Sequence, residues 1–218
     1  MERILAIGDV HGCNNILNRM LFDRIKIAHS DTIYFIGDYI DRGMFSKEVI
    51  DTIITLREKG YSIHTLRGNH EQMMMDSVLS EEHFDHWYIN GGDATLTSFD
   101  IDSFTEMPEK YKQFFYDTEL YINTPDYIFV HAGLNFEREN IFEDTEAMLW
   151  IRGFQSTQPA LKNQLLVHGH TPKPLNYILR QKGNCINIDG GCVYTGQNVY
   201  GNLVAVSLPE RKFIVEPN

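Results

Sequence analysis

Residues 32–70, TIYFIGDYIDRGMFSKEVIDTIITLREKGYSIHTLRGNH, decide the fold. A β-branched, apolar run, Thr32–Ile36, stops at Gly37-Asp38 and reads as a buried strand. Val49, Ile50, Ile53, Ile54 and Leu56 then recur at helical spacing, with Ser46 as the expected N-cap and Gly60 near the stop. Ser62–Leu66 is strand-like again and runs into Arg67-Gly68-Asn69-His70. The preceding residues carry the same unit. Arg3–Ile7 is a strand ending at Gly8-Asp9, and Ile16, Leu17, Met20, Leu21 and Ile25 mark a helix over 13–25. Three strands joined by crossovers of roughly 30 residues predict a mainly parallel sheet.

The rhythm breaks over residues 72–123, which are rich in Met, Phe, Tyr and acids and predict a mainly helical insertion. Strand signals return at Tyr127–Val130, Leu165–His168, Tyr177–Arg180, Asn184–Ile188, Leu203–Ser207 and Phe213–Val215. They predict a second, mixed sheet packed on the first within one domain spanning 1–218.

The chain has 218 residues, 43% hydrophobic and 22% charged, as expected of a globular domain with a real core. Its 19 Lys+Arg against 30 Asp+Glu leave a net charge of −11, which speaks against nucleic-acid polymers as partners. No apolar stretch approaches membrane-span length, and the start, MERILAIGDVHG, has no signal-like run. Cys13, Cys185 and Cys192 form no C-x-x-C pair and no disulfide framework, so a cytoplasmic protein with reduced thiols is expected.

Polar clusters recur where the expected strands end: Asp9 and His11, then Asp38, Asp41 and Arg42, then Arg67, Asn69 and His70, then His131, then His170. Ligands of open α/β sheets collect outside the carboxyl ends of the strands, so five segments deliver these side chains to one edge. Carboxylate, imidazole and amide oxygen together suit Mn, Fe or Zn better than Ca. Asp9, His11, Asp38, Asn69, His131 and His170 suffice for two ions, and a central Asp38 could bridge them. His168 is expected beside the site rather than as a ligand. His29, His64, His83 and His86 read as structural or surface residues.

The ordered set GDVHG, GDYIDRG, RGNHE, HAG and HGHTP resembles the phosphoprotein phosphatase branch of the calcineurin-like metallophosphoesterases, over roughly 1–72 and 127–207. That resemblance implies an α/β fold of two packed mixed β-sheets flanked by helices, an α-β-β-α sandwich. It implies two divalent ions, Mn2+ foremost with Fe, Zn or Ni as alternatives. Asp9, His11 and Asp38 would hold the first, and Asp38, Asn69, His131 and His170 the second. Arg42, Arg67 and Arg152 would clamp the phosphate, and His70, oriented by Asp41, would protonate the leaving oxygen. Gly169-His170-Thr171-Pro172 lacks the final histidine of the G-H-x-H run found in many phosphodiesterases and nucleases of the wider superfamily. The implied activity is hydrolysis of phosphoserine and phosphothreonine in proteins or peptides by hydroxide generated at the metals. A symmetrical diadenosine tetraphosphate hydrolase or a broad small-molecule phosphatase is the alternative. Those tetraphosphate hydrolases tend to show A-R-G where this chain has Asp41-Arg42-Gly43. With two ions and three arginines the local charge turns positive despite the total of −11. The segments Trp87–Gly92 and Asp189–Tyr194 resemble parts of relatives that face the cleft.

Overall fold

Strand β1 (Ile4–Ile7) pairs in parallel with β2 (Thr32–Phe35), and β2 with β3 (Ser62–Thr65). The C-terminal strands β8 (Asn202–Leu208) and β9 (Lys212–Pro217) extend this sheet antiparallel on the other side of β1, giving the order β3-β2-β1-β8-β9. A second sheet has the order β4-β5-β6-β7, from Tyr121–Asn123, Tyr127–Val130, Leu165–His168 and Cys185–Asn187. The computed structural model describes residues 3–153, 161, 163–196 and 199–218.

Period-2 alternation sets the layers. Ala6, Tyr34, Val204 and Val206 of the first sheet meet Phe129, Val167 and Ile186 of the second in one buried cluster. Tyr34 and Phe129 stack across the two sheets with centroids 4.0 Å apart. The residues between them in sequence, Leu5, Ile7, Ile33 and Phe35, face the opposite way into a larger cluster. There they meet Leu17 of α1 (Asn14–Asn18), Met20 and Leu21 of the π-helical turn that continues it, and Val49, Ile50 and Ile53 of α2 (Ser46–Glu58). Ile128, Val130 and Leu166 line the outer face of the second sheet under Met148 of α7 (Thr145–Trp150). The result is the expected α-β-β-α sandwich.

Between β3 and β4 run α3 (Asn69–Asp76), α4 (Glu81–Trp87), a π-helical turn at Tyr88–Gly92, α5 (Asp93–Phe99) and α6 (Glu109–Tyr116). Three local expectations need correction. Residues 177–180 are not a strand: α8 spans Leu175–Ile178, starts after Pro174 and buries only Ile178, so the apolar run there is one helical turn. Tyr121–Asn123 is a short strand at the edge of the second sheet, too short and too little buried to give a periodic signal. Ser46 does not cap α2; it is the first helical residue, and its hydroxyl accepts the Asp41 N–H (3.2 Å).

Candidate active site

Strands β1, β2, β3, β5 and β6 all end at the same edge of the sandwich, where the parallel pairs run in register. The loops leaving them are bent hard. His11, Asp38, Asp41, Arg42 and His170 all have φ between 44° and 70°, a region non-glycine residues rarely occupy. Such strain persists only where surrounding bonds over-determine it, and it gathers here on expected site residues. Glycines let the loops close up: a side chain at Gly68 would strike Asp38 Oδ1, and one at Gly169 would strike Asp9 Oδ1.

All five loops converge on Asp38, which is buried. Its Oδ2 lies 3.5 Å from His11 Nε2 and its Oδ1 3.4 Å from His131 Nε2. Two groups of ligand-type atoms therefore share it: His11, Asp38 and His70 on one side, Asp38, His131 and His170 on the other. Asp9 stands outside both groups, with Oδ2 accepting the His170 N–H at 3.0 Å. Burial alone would raise the Asp38 pKa, but His131, His70, His11 and His170 together hold it well below the usual carboxylate range.

The protonation pattern fits a cation site. His11 Nδ1 lies 2.8 Å from Ile40 O and His131 Nδ1 2.9 Å from Ile36 O. A carbonyl only accepts, so Nδ1 carries the proton in both rings and each Nε2 presents a lone pair. Burial keeps both imidazoles neutral by lowering their pKa values. His131 Nε2 faces Asn69 Oδ1 at 3.0 Å, so two acceptors meet there, while His170 Nδ1–H donates to the same oxygen at 2.8 Å and leaves Nε2 with a lone pair. His170 Nε2 and Asp9 Oδ1 are buried with no hydrogen-bond partner. Unpaired buried acceptors are costly, and a divalent ion would satisfy this arrangement.

Beside these atoms sits a second constellation. His70 Nδ1 lies 2.7 Å from Asp41 Oδ2, and both residues are buried. Burial opposes charging of His70, yet Asp38 and the bonded Asp41 overcome it and raise the His70 pKa. Asp41 is itself clasped by the insertion. Thr95 Oγ1 donates to Asp41 Oδ1 (2.6 Å) and accepts the Asp41 N–H (2.9 Å). Trp87 Nε1–H is shared between the two carboxylate oxygens at 3.1 and 3.0 Å. Next to it the Arg42 N–H donates to Gly91 O (3.0 Å), and Gly92 leaves room for the Trp87 ring.

A model of the calcineurin-like phosphoesterase family matches residues 2–207, nearly the whole chain. The chain belongs to that family. Calcineurin-like phosphoesterases use divalent metals, which agrees with the donor set around Asp38. Among curated relatives, serine/threonine-protein phosphatase 2 of Salmonella typhimurium is 29% identical over 155 residues, 69% of this chain and 68% of that protein. An asymmetrical bis(5'-nucleosyl)-tetraphosphatase of Anoxybacillus flavithermus is 26% identical over 241 residues, 97% of this chain and 93% of that protein. The fold matches a cold-active protein-tyrosine phosphatase of a psychrophilic Shewanella species with a TM-score of 0.67 and 20% identity, covering 99% of this chain and 77% of that one. It also matches a Saccharomyces cerevisiae protein serine/threonine phosphatase with a TM-score of 0.63 and 19% identity, covering 98% and 78%.

Within this calcineurin-like site the three arginines differ. Arg42 Nη1 lies 2.6 Å from His11 Nε2, and its guanidinium stands 5.8 Å from the Tyr194 ring centre. Arg67 is tied back to Thr118 Oγ1 (3.1 Å), Thr118 O (3.3 Å) and Gln72 Oε1 (3.1 Å). Arg152 is exposed, and its charge reaches His170, whose pKa burial, His131 and Arg152 lower to about 3. His168 is half-buried nearby and neutral, with its pKa lowered by desolvation to about 4.

Four further residues shape the site. Glu71 accepts N–H groups from Asp38 (2.9 Å), Tyr39 (2.8 Å) and Gly68 (2.8 Å), pinning the β2 and β3 loops to one carboxylate. It ends the quoted motif RGNHE, so its presence was legible and its task was not. Burial, with Asp38 nearby, raises the Glu71 pKa to about 7. Asp189 is likewise buried, accepts the Gly191 N–H (2.8 Å) and has its pKa raised by burial to about 7. Trp87 stands in a segment the sequence singled out, whereas Thr95 belongs to no motif and only its contact with Asp41 identifies it.

Proposed function

We propose that this calcineurin-like phosphoesterase is a dinuclear-metal-dependent phosphomonoesterase acting on phosphoserine and phosphothreonine in proteins. The observation that carries the reading is the buried His70–Asp41 pair, bonded at 2.7 Å, next to a carboxylate shared by two ligand groups. Serine and threonine alkoxides are poor leaving groups and need a proton, whereas activated esters need little help.

In this reading Asp9, His11 and Asp38 hold one divalent ion, and Asp38, Asn69, His131 and His170 hold the other. Nitrogen and oxygen donors of this kind accept Mn2+, Fe, Zn or Ni by availability, with Mn2+ the ion the resemblance implies. When bound, two such ions lower the pKa of a water to near neutrality and offset charge on the phosphoryl oxygens. Asp41 accepts the Nδ1–H of His70 and fixes its tautomer, leaving Nε2 to deliver a proton to the leaving oxygen. The raised His70 pKa keeps that proton available near neutral pH. Arg42, Arg67 and Arg152 supply planar donor forks for the phosphoryl oxygens. The three free thiols support a cytoplasmic setting.

A test is p-nitrophenyl phosphate hydrolysis after chelator treatment and after Mn2+ is restored. Activity should vanish and return; full activity in the stripped protein would refute the mechanism. Dinucleoside tetraphosphate hydrolysis is the second reading, favoured by the near full-length similarity to the Anoxybacillus tetraphosphatase. Parallel rates on a phosphopeptide set and on diadenosine tetraphosphate separate the two.

A further inference from the structure

Residues 147–188 contain no Asp or Glu, in a chain that carries 30 of them, and they do contain Arg152, Lys162, Lys173, Arg180 and Lys182. The acidic total of −11 therefore hides a 42-residue stretch of charge +5, and that stretch includes His170. Among the described residues, a cleft of about 730 Å³ opens along it, a size typical of small-molecule sites. Lys173, Arg180 and Lys182 line it together with the exposed Tyr177.

The cleft abuts the candidate active site. Its wall includes Ala132 and Thr171, the chain neighbours of His131 and His170, and Ile151, the neighbour of Arg152. Asn187, also in the wall, donates to Gly169 O and Thr171 O at 3.1 Å each and so ties the wall to the loop bearing His170. Lys173 is half-buried, its backbone N–H donates to Asp189 O (2.9 Å), and its ammonium stands 6.0 Å from the Tyr177 ring centre. Among the described residues no carboxylate pairs with Lys173, Arg180 or Lys182. Three unneutralised cations in a concave wall focus positive potential whatever the total charge.

We propose that this cleft is a second anion subsite that takes the polyphosphate chain of a nucleotide substrate whose scissile phosphoryl group lies at Asp38. Clustered cations, one of them a planar guanidinium fork, match closely spaced phosphate oxygens. Tyr177, exposed and flanked by Lys173, offers a face on which a base can stack. An acidic phosphopeptide would spread its charges farther apart than a phosphate chain does. The subsite rests on the second reading above, hydrolysis of nucleotide polyphosphates at the Asp38 centre, and not on the phosphoprotein reading.

The test uses the Lys173→Gln/Arg180→Gln/Lys182→Gln variant, whose three positions are polar and at least partly exposed. Relative to wild type, kcat/KM for p-nitrophenyl phosphate should stay within about twofold. For diadenosine tetraphosphate or ATP it should fall at least about tenfold, mainly through KM. Calorimetric binding of inorganic tripolyphosphate to chelator-treated protein should weaken by at least about tenfold in the variant, while circular dichroism stays unchanged. That binding readout needs no turnover, so it separates failure of the subsite from failure of the hydrolase reading. Equal tripolyphosphate binding by wild type and variant would overturn the proposal. So would a loss confined to acidic phosphopeptides, which would assign the cleft to peptide recognition.

Discussion

Replacing Thr95 by Val tests how far the insertion controls the chemistry. The two side chains are close in volume, so the change removes a hydroxyl and little else. Thr95 Oγ1 makes two bonds to Asp41, a donation to Oδ1 at 2.6 Å and an acceptance from the N–H at 2.9 Å. The N–H keeps Ser46 Oγ as an acceptor at 3.2 Å, so the main loss is one charge-assisted bond to a buried carboxylate. Such a bond is worth ~1.5–3 kcal/mol, and with the weakened N–H contact the cost is about 2–3 kcal/mol. For a chain of this size that lowers Tm by roughly 4–12 °C. Burial already raises the Asp41 pKa against the bonds from His70, Thr95 and Trp87. Removing one donor raises it further; the more basic Asp41 holds the His70 proton more tightly, which makes the proposed acid a weaker proton donor. Passing about half of the lost energy to His70 lowers kcat on a phosphoserine peptide about tenfold, with KM unchanged. On p-nitrophenyl phosphate, whose leaving group needs little protonation, the loss should stay within about threefold. Thr95→Ser, which restores the hydroxyl, should recover both Tm and the peptide rate. Equal losses on the two substrates, or no recovery in Thr95→Ser, would refute the coupling from Thr95 through Asp41 to His70.

Three other perturbations probe the same centre. Asp38→Asn should weaken both Mn2+ sites in a calorimetric titration, because Asp38 Oδ1 and Oδ2 face different imidazoles; loss of one site alone would remove the bridging role. His70→Asn should cut turnover of phosphoserine peptide by about 10²–10³ and of p-nitrophenyl phosphate far less, and equal losses would exclude His70 as the acid. His168, with a folded pKa of about 4 against an ordinary 6.5, binds fewer protons folded than unfolded. Its contribution is therefore present above pH 6.5 and drains as pH falls toward 4, amounting to about 2 kcal/mol by pH 5. In metal-stripped protein His168→Gln should flatten the fall in unfolding free energy between pH 7 and pH 5 by that amount; an unchanged slope would mean that His168 is not held neutral in the folded chain.

The sheet core was legible because its strands are short continuous apolar runs, as strands buried on both faces are, and Tyr127–Val130 and Leu165–His168 coincide with β5 and β6. Tyr177–Arg180 misled because a single turn of helix with one buried residue has too few positions for its period to be read. In the site, residues at strand ends could be found because strand order fixes where strand ends lie. Thr95 could not, because its role depends on how α5 docks against the Asp41 loop. Glu71 is the intermediate case. It could be seen as part of a motif, but its three N–H partners come from two loops whose approach only the folded chain defines.

The strained loops and the buried acids have one physical explanation. Asp9, Asp38, Asp41, Glu71 and Asp189 are all buried at one end of the sandwich. Asp9 is held from ionising by burial, by Asp189 and by Asp38, and Asp189 in turn by burial and Asp38. Mutual repulsion of this kind is unfavourable in a site that binds nothing, and so are φ values of 53° at Asp38 and 67° at His170. The costs make sense if the fold is organised around positive charge at the place where Asp9 Oδ1 and His170 Nε2 lack partners. The acidic balance that speaks against nucleic-acid polymers is then partly the proposed donor set itself. In the proposed reading Asp9 and Asp38 hold the cations, and those cations, with Arg42 beside them, turn the same pocket toward phosphate.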